Sequence, residues 1–196
     1  MENFNFTKAD LSNEKQLDQI ASLLLETGYY ENTAQENKLN LAPVAFHKLQ
    51  TIKPYINHTY ILMKENEIVG FFIAGVRDEI EAAAENITNW RRDDSELVKC
   101  LNKIGEFYIN EGLETDFVLY GIAIDPKYRG QGFFKILYQH LVNLAKASDC
   151  KRIIFTVRDS NPAINIYAHY GAKKLGNIDF THYFKDKLLK YAFYLN

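Results

Sequence analysis

Cysteine is scarce in this chain. Only Cys100 and Cys150 occur in 196 residues, with no C-x-x-C spacing, so neither a disulfide framework nor a cysteine-based zinc site organises it. A charge excess is lacking too: 23 Lys and Arg against 25 Asp and Glu leave a formal net charge of -2. That balance excludes a wholesale nucleic-acid or membrane-surface binder, and any anion site must be local. Arg91-Arg92 runs straight into Asp93-Asp94, a solvated helix face and no basic stripe. No apolar run reaches the roughly 20 residues a bilayer span requires. The opening MENFNFTKADLSNEK lacks the basic-then-apolar order of a signal peptide, and we expect a cytoplasmic protein with reduced thiols. His47, His58, His140, His169 and His182 have no helix-face or cysteine partner spacing, so no metal is expected.

What is abundant is apolar and aromatic side chain, 47% and 14% of the chain. That is enough to close a core around a sheet, and we expect one domain over residues 1–196. A short strand near Asn5 to Lys8 gives way at Ser12 to a helix, because Leu17, Ile20, Ala21, Leu24 and Leu25 recur at helical spacing up to Gly28. Residues 29 to 57 suggest one or two short helices ended by Pro54. From His58 the run HTYILMKENEIVGFFIAGV predicts an antiparallel hairpin turning at Glu65-Asn66. Residues 78–112 are charge-rich with Leu97, Leu101, Ile104 and Tyr108 at helical intervals, which predicts a helical insertion of two helices. Its acidic residues Asp78, Glu79, Glu81 and Glu85 read as a solvated helix face.

The chemistry concentrates in Leu119 to Leu137, LYGIAIDPKYRGQGFFKIL. An apolar strand breaks at Asp125-Pro126 and re-enters as a helix through Arg129-Gly130-Gln131-Gly132, with Phe133, Ile136, Leu137, Leu141, Leu144 and Ala145 as its apolar stripe. Two glycines ahead of a helix let backbone approach a ligand closely, and the first helical turn has N–H groups without intrahelical acceptors, which suit phosphate oxygens. Other phosphate-binding turns do not fit. No Gly-Lys-Ser/Thr follows, as a Walker loop requires, and the third glycine of a dinucleotide fingerprint is replaced by Lys135. Ser148 and Ser160 lack the G-x-S-x-G elbow of a hydrolase. A strand is predicted from Arg152 to Val157, then a short helix from Pro162 to about Tyr170 ended by Gly171, then two β runs around Lys185-Asp186-Lys187.

Arg129-Gly130-Gln131-Gly132-Phe133-Phe134 resembles the Arg/Gln-x-x-Gly-x-Gly/Ala loop of the GNAT (GCN5-related) N-acetyltransferases. Phe134 stands where that family usually has a small residue. Downstream, Asn161 to Ala172, NPAINIYAHYGA, is similar to the family's Asn-rich entry, helix, tyrosine and Gly-Phe ending, with Ala172 in place of phenylalanine. The two motifs span about half the chain. The resemblance implies an α/β (α+β) fold with a twisted, mixed, mostly antiparallel sheet, helices on both faces, and a V-shaped opening between the fourth and fifth strands. It implies acetyl-CoA as cosubstrate, bound by the backbone of Ile122, Ala123 and Ile124 along the pantetheine arm and by Arg129, Gly130, Gln131, Gly132, Phe133, Phe134 and Lys135 at the phosphates, with Asn161 beside them. Lys127 is a further phosphate candidate. Phe134 is expected to point away from the phosphates.

The implied function is N-acetyl transfer by direct attack of a primary amine, with a small-molecule acceptor favoured over a peptide or protein amine. A module that binds CoA without catalysis is the alternative. Tyr167 takes the position of the family's donor to the leaving sulfur, against a competing reading as a core aromatic. Glu114, Asp116 and Tyr120 are candidates for drawing a proton from the amine, and none is singled out. Gly121, inside the strand, marks a bulge or close backbone approach, against a competing reading as a packing glycine. Nucleic acid and membrane are not expected as partners, and the chain is expected to be a monomer or homodimer.

Overall fold

The computed structural model describes residues 4–27, 43–88, 107, 112–179 and 187–195. Residues 28–42, 89–106, 108–111 and 180–186 lie outside the described residues, and with them much of the stretch 29–57, most of the expected insertion 78–112 including Leu97, Leu101, Ile104 and Tyr108, and the turn at Lys185-Asp186. Among the described residues the chain forms a mixed α/β fold. Its seven strands are β1 (Phe4–Lys8), β2 (Thr59–Lys64), β3 (Glu67–Val76), β4 (Asp116–Ile124), β5 (Arg152–Arg158), β6 (Lys173–Asp179) and β7 (Lys187–Tyr194). They form one sheet in the order β1-β2-β3-β4-β5-β7-β6. β1 with β2, β2 with β3, β5 with β7 and β6 with β7 are antiparallel. β4 and β5 run parallel. The mostly antiparallel sheet is the one the resemblance implied.

The chain divides into two compact units, Met1–Ala74 with Tyr120–Leu144, and Gly75–Leu119 with Ala145–Asn196. In the first, α1 (Glu14–Glu26) starts because the Asn13 side chain accepts the Gln16 N–H at 3.0 Å. Asn13, not Ser12, is the cap; the Ser12 hydroxyl donates to Asp10 instead. The helix buries Leu17, Ile20, Ala21, Leu23 and Leu24, so Leu23 takes the place expected for Leu25. α2 (Pro43–His47) runs directly into a π-helical turn, Lys48–Ile52, closed by the Lys53 N–H on the Lys48 carbonyl at 2.8 Å. Lys48 pairs with Glu14 and with Asp18 at 2.8 Å, tying that turn to α1. The helices expected from Val44 to Ile52 are thus one α turn and one π turn. The hairpin β2–β3 turns at Glu65-Asn66, where Glu65 has φ 56°, and a register shift falls between Leu62 and Met63. α4 (Phe133–Ala147) buries Phe133, Leu137, Leu141 and Ala145, leaves Ile136 and Leu144 of the expected stripe half-buried, and exposes Lys135, Gln139 and Asn143.

In the second unit, α3 (Arg77–Thr88) opens the expected insertion with Asp78 and Glu79 in its first turn, where carboxylates complement the helix dipole. β5 carries Ile153, Ile154 and Phe155 into the core and pairs with β7 over seven residues, Arg152–Tyr194 to Arg158–Leu188. With β4 it pairs only from Asp116–Arg152 to Val118–Ile154. α5 (Ala163–His169) ends at Gly171, whose φ of 84° is open to glycine at little cost. The Ala172 N–H then reaches the Tyr167 carbonyl at 3.0 Å.

Candidate functional site

The strand-to-helix junction lies within the first unit and is built mainly from local rules. β4 ends at Ile124, and the Asp125 N–H is held by the Val69 carbonyl at 2.9 Å. The Asp125 carboxylate accepts the Lys127 N–H at 3.0 Å and caps a single 3-10 turn, Pro126–Tyr128. Gly130 and Gly132 have φ of 73° and 84°, the left-handed region that side chains with a Cβ avoid. A Cβ built at either glycine would meet nothing within 4 Å. Their conformation and not crowding demands glycine, and the space beside them is open. Among the described residues the N–H groups of Gly130, Gln131, Gly132 and Phe133 donate to no backbone carbonyl, whereas those of Tyr128, Arg129 and Lys135 do. A row of such amides at a helix N-terminus has the chemistry that suits an anion.

Most side chains around this row are engaged within the protein. Phe133 is buried, edge-on to Phe4 at 5.2 Å and Tyr128 at 5.7 Å, and anchors the start of α4 in the core. Phe134 stacks along the helix on Tyr138, with ring centroids 6.2 Å apart. Gln131 donates to the Lys127 carbonyl at 2.9 Å, and the Arg129 Nε donates to the Ile124 carbonyl at 2.9 Å. Lys127 pairs with Glu67, whose carboxylate also accepts the Tyr128 hydroxyl at 2.5 Å. The Lys127 ammonium holds Glu67 below the ordinary carboxylate range. Lys135 is exposed on the polar face of α4.

Of the strand residues, Ala123 is buried and Ile122 and Ile124 are half-buried. Gly121 is uncrowded: a Cβ there would lie 3.5 Å from Leu24 Cδ2, an ordinary contact. The glycine that permits close approach is Gly70 on β3, where a Cβ would fall 2.6 Å from the Ala123 carbonyl oxygen and 3.3 Å from Ile124 Cα. A hairpin glycine gave no signal of this, since its partner lies on another strand.

The second unit holds the remaining candidates except Tyr120. Asn161 turns its amide oxygen to the Ala163 N–H at 2.9 Å, capping the entry to α5. Tyr167 is 8% exposed, edge-on to Phe155 at 4.8 Å and to Phe193 at 6.4 Å. Burial pushes its phenol up to about 12, because the phenolate would lose its hydration. Asp116 is fully buried and grips Arg152 through both oxygens, Nε to Oδ1 at 2.5 Å and Nη2 to Oδ2 at 3.0 Å, while accepting the Leu113 N–H at 2.7 Å. Asp116 thus braces β4 against β5. Glu114 is exposed. Tyr120, in the first unit, packs on Tyr55 at 4.5 Å. Sequence periodicity could not reveal Arg152, which reads as the polar edge of a buried strand. Among the described residues no group of three or more His, Cys, Asp or Glu could hold a metal, and no helix is long and apolar enough to cross a membrane.

Glycine turn, strand order and downstream helix together define an acyl-CoA-dependent transferase fold, and residues 26–172 match the Acetyltransferase (GNAT) family. The chain belongs to that family. Over 62 residues it is 39% identical to a protein of Bacillus subtilis (strain 168) named as a ribosomal protein bS18-alanine N-acetyltransferase. That match spans 31% of this chain and 41% of the relative's length. Among solved structures, arylalkylamine N-acetyltransferase 2 from Aedes aegypti has the same fold, with a TM-score of 0.68 at 16% identity over 99% of this chain and 100% of that one. The NatC complex bound to Gag peptide and CoA gives 0.59 at 17% identity over 100% of both chains.

Proposed function

We propose that this protein transfers an acetyl group from acetyl-CoA to a primary amine by direct attack, without a covalent enzyme intermediate. The observation that carries this reading is the row of amides from Gly130 to Phe133, opened by two left-handed glycines at the head of α4, in a chain of the acetyltransferase family. Those amides suit a diphosphate, and the main chain of Ile122 and Ala123 suits a pantetheine arm added as an extra strand. The neutral amine adds to the thioester carbonyl, charge grows on the oxygen, the nitrogen gives up a proton to water, and collapse breaks the C–S bond and expels CoA thiolate, which is protonated from solvent; a backbone N–H is the donor this chemistry asks for at the oxygen. Tyr167 is proposed as the donor to the departing sulfur. A phenol raised to about 12 stays protonated at neutral pH and is a far weaker acid than a thiol near 8.5, so it acts by hydrogen bonding and not by full proton transfer.

For the acceptor, a small amine is the first reading. A protein N-terminal amine is the second, favoured by the name of the Bacillus subtilis relative. Thiol release from acetyl-CoA, measured against a panel of small amines and of peptides with free N-termini, separates them. Tight CoA binding with no release from any acceptor would leave a sensing module instead. The same assay tests the cradle. Gly132→Val places a β-branched residue at φ 84°, and kcat/KM for acetyl-CoA should fall about a hundredfold, the cost of donors displaced by about an ångström. Unchanged kinetics in that variant would refute the cradle.

A further inference from the structure

The cationic side chain that opens the glycine turn is tied back to the protein through its Nε. Arg129 is about half exposed, yet its Nε donates to the carbonyl of Ile124 at 2.9 Å, the last residue of β4. Its Nη2 lies 3.7 Å from the Glu26 carboxylate at the end of α1. The backbone at Arg129 is extended, with ψ 154°, which lets the side chain reach back over the 3-10 turn. Its neighbours behave alike: Gln131 donates to the Lys127 carbonyl, and Asp125 accepts the Lys127 N–H. Each of these three side chains spends a polar atom on the main chain of the turn. A strand end held by a planar, multi-donor group loses less freedom on engaging an extended ligand than one left to fray.

We propose that Arg129 is a positioning residue that clamps the terminal carbonyl of β4 and so presets the strand's main chain for the pantetheine arm, and that it does not contact a phosphate. This rests on the acetyl-CoA reading above. It divides the binding site by function: amides hold the diphosphate, while the one arginine of the turn serves the other half of the ligand.

Calorimetric titration of the full chain with CoA, and with the phosphoadenosine diphosphate half of CoA lacking pantetheine, distinguishes the roles. Arg129→Met removes the donor, and Arg129→Gln removes the charge but keeps an N–H able to reach a carbonyl. The expected result is CoA affinity about tenfold weaker in the Met variant and within about threefold of wild type in the Gln variant. The pantetheine-free fragment should bind all three proteins within about twofold. Weakening of the fragment alongside CoA in either variant would show a phosphate contact and overturn the assignment. Equal loss in Gln and Met would make charge the cause and overturn it as well. Wild-type protein that binds neither probe would instead bring down the acetyl-CoA reading, and this inference with it. Circular dichroism melting of both variants checks that the exposed side chain is not needed for folding.

Discussion

The turn after β4 and the start of the same strand handle polar groups in opposite ways. At Gly130–Phe133 the amides have no backbone acceptor among the described residues, and the Arg129 and Gln131 side chains are spent on fixing the main chain. At Asp116 the polar group is sealed in the core and satisfied by one guanidinium and one N–H. An exposed amide keeps its water until a ligand replaces it, so it is a binding group. A buried carboxylate has given up its water already, and removing its partner leaves an uncompensated charge. Polar residues on or near one strand therefore divide into those that can recognise something and those that hold the fold.

Three measurements sharpen that contrast, beginning with the largest effect. Asp116→Asn should cost about 3 kcal/mol of stability in urea unfolding, since the half-buried Arg152 loses the buried charge that pairs with it. The pH dependence of kcat in the surviving folded protein should be unchanged, because the carboxylate is a brace; a shifted acid limb would restore it as a base.

A second buried polar group, His47, is 1% exposed, and burial lowers it to about 4 from the ordinary 6.5. Between those values the unfolded chain binds more protons than the folded one, so stability falls as pH drops from 6.5 towards 4 and levels off below. The full loss is about 3 kcal/mol. His47→Leu should flatten this window in denaturation curves taken across that range, and an unaltered slope would assign it to other groups.

Third and smallest, Tyr167→Phe should lower kcat about tenfold with CoA affinity within about twofold and little change in melting, because the ring remains wedged against Phe155. Unchanged kcat would return Tyr167 to the exposed-versus-buried contrast as a core residue only.

Features set within a few residues were legible in the sequence. The α4 stripe, the Glu65-Asn66 turn, the Gly171 stop and the glycine turn each follow from periodicity or from φ preferences that a neighbour or two decides. Features that join distant positions were not. Asp116 meets Arg152 across 36 residues, Lys127 meets Glu67 across 60, and Gly70 matters because of a carbonyl on β4. Asp116 was a base candidate while its partner was unseen. The resemblance implies Arg129 among the residues at the phosphates, and only the folded turn shows its Nε on the Ile124 carbonyl. The π turn at Lys48–Ile52 escaped for a related reason, since no local signal separates it from an ordinary helix and its ties to Glu14 and Asp18 come from α1.

By itself the sequence determined where the left-handed glycine turn would be, because glycine alone takes positive φ cheaply and an apolar strand followed by an amphipathic helix leaves few other junctions. It also determined the family. Which polar side chains serve a ligand and which serve the protein was decided by tertiary structure alone. The reason is desolvation: whether a carboxylate, phenol or guanidinium is free to act depends on how much water it retains and on the nearest partner, and both are set by residues far away along the chain.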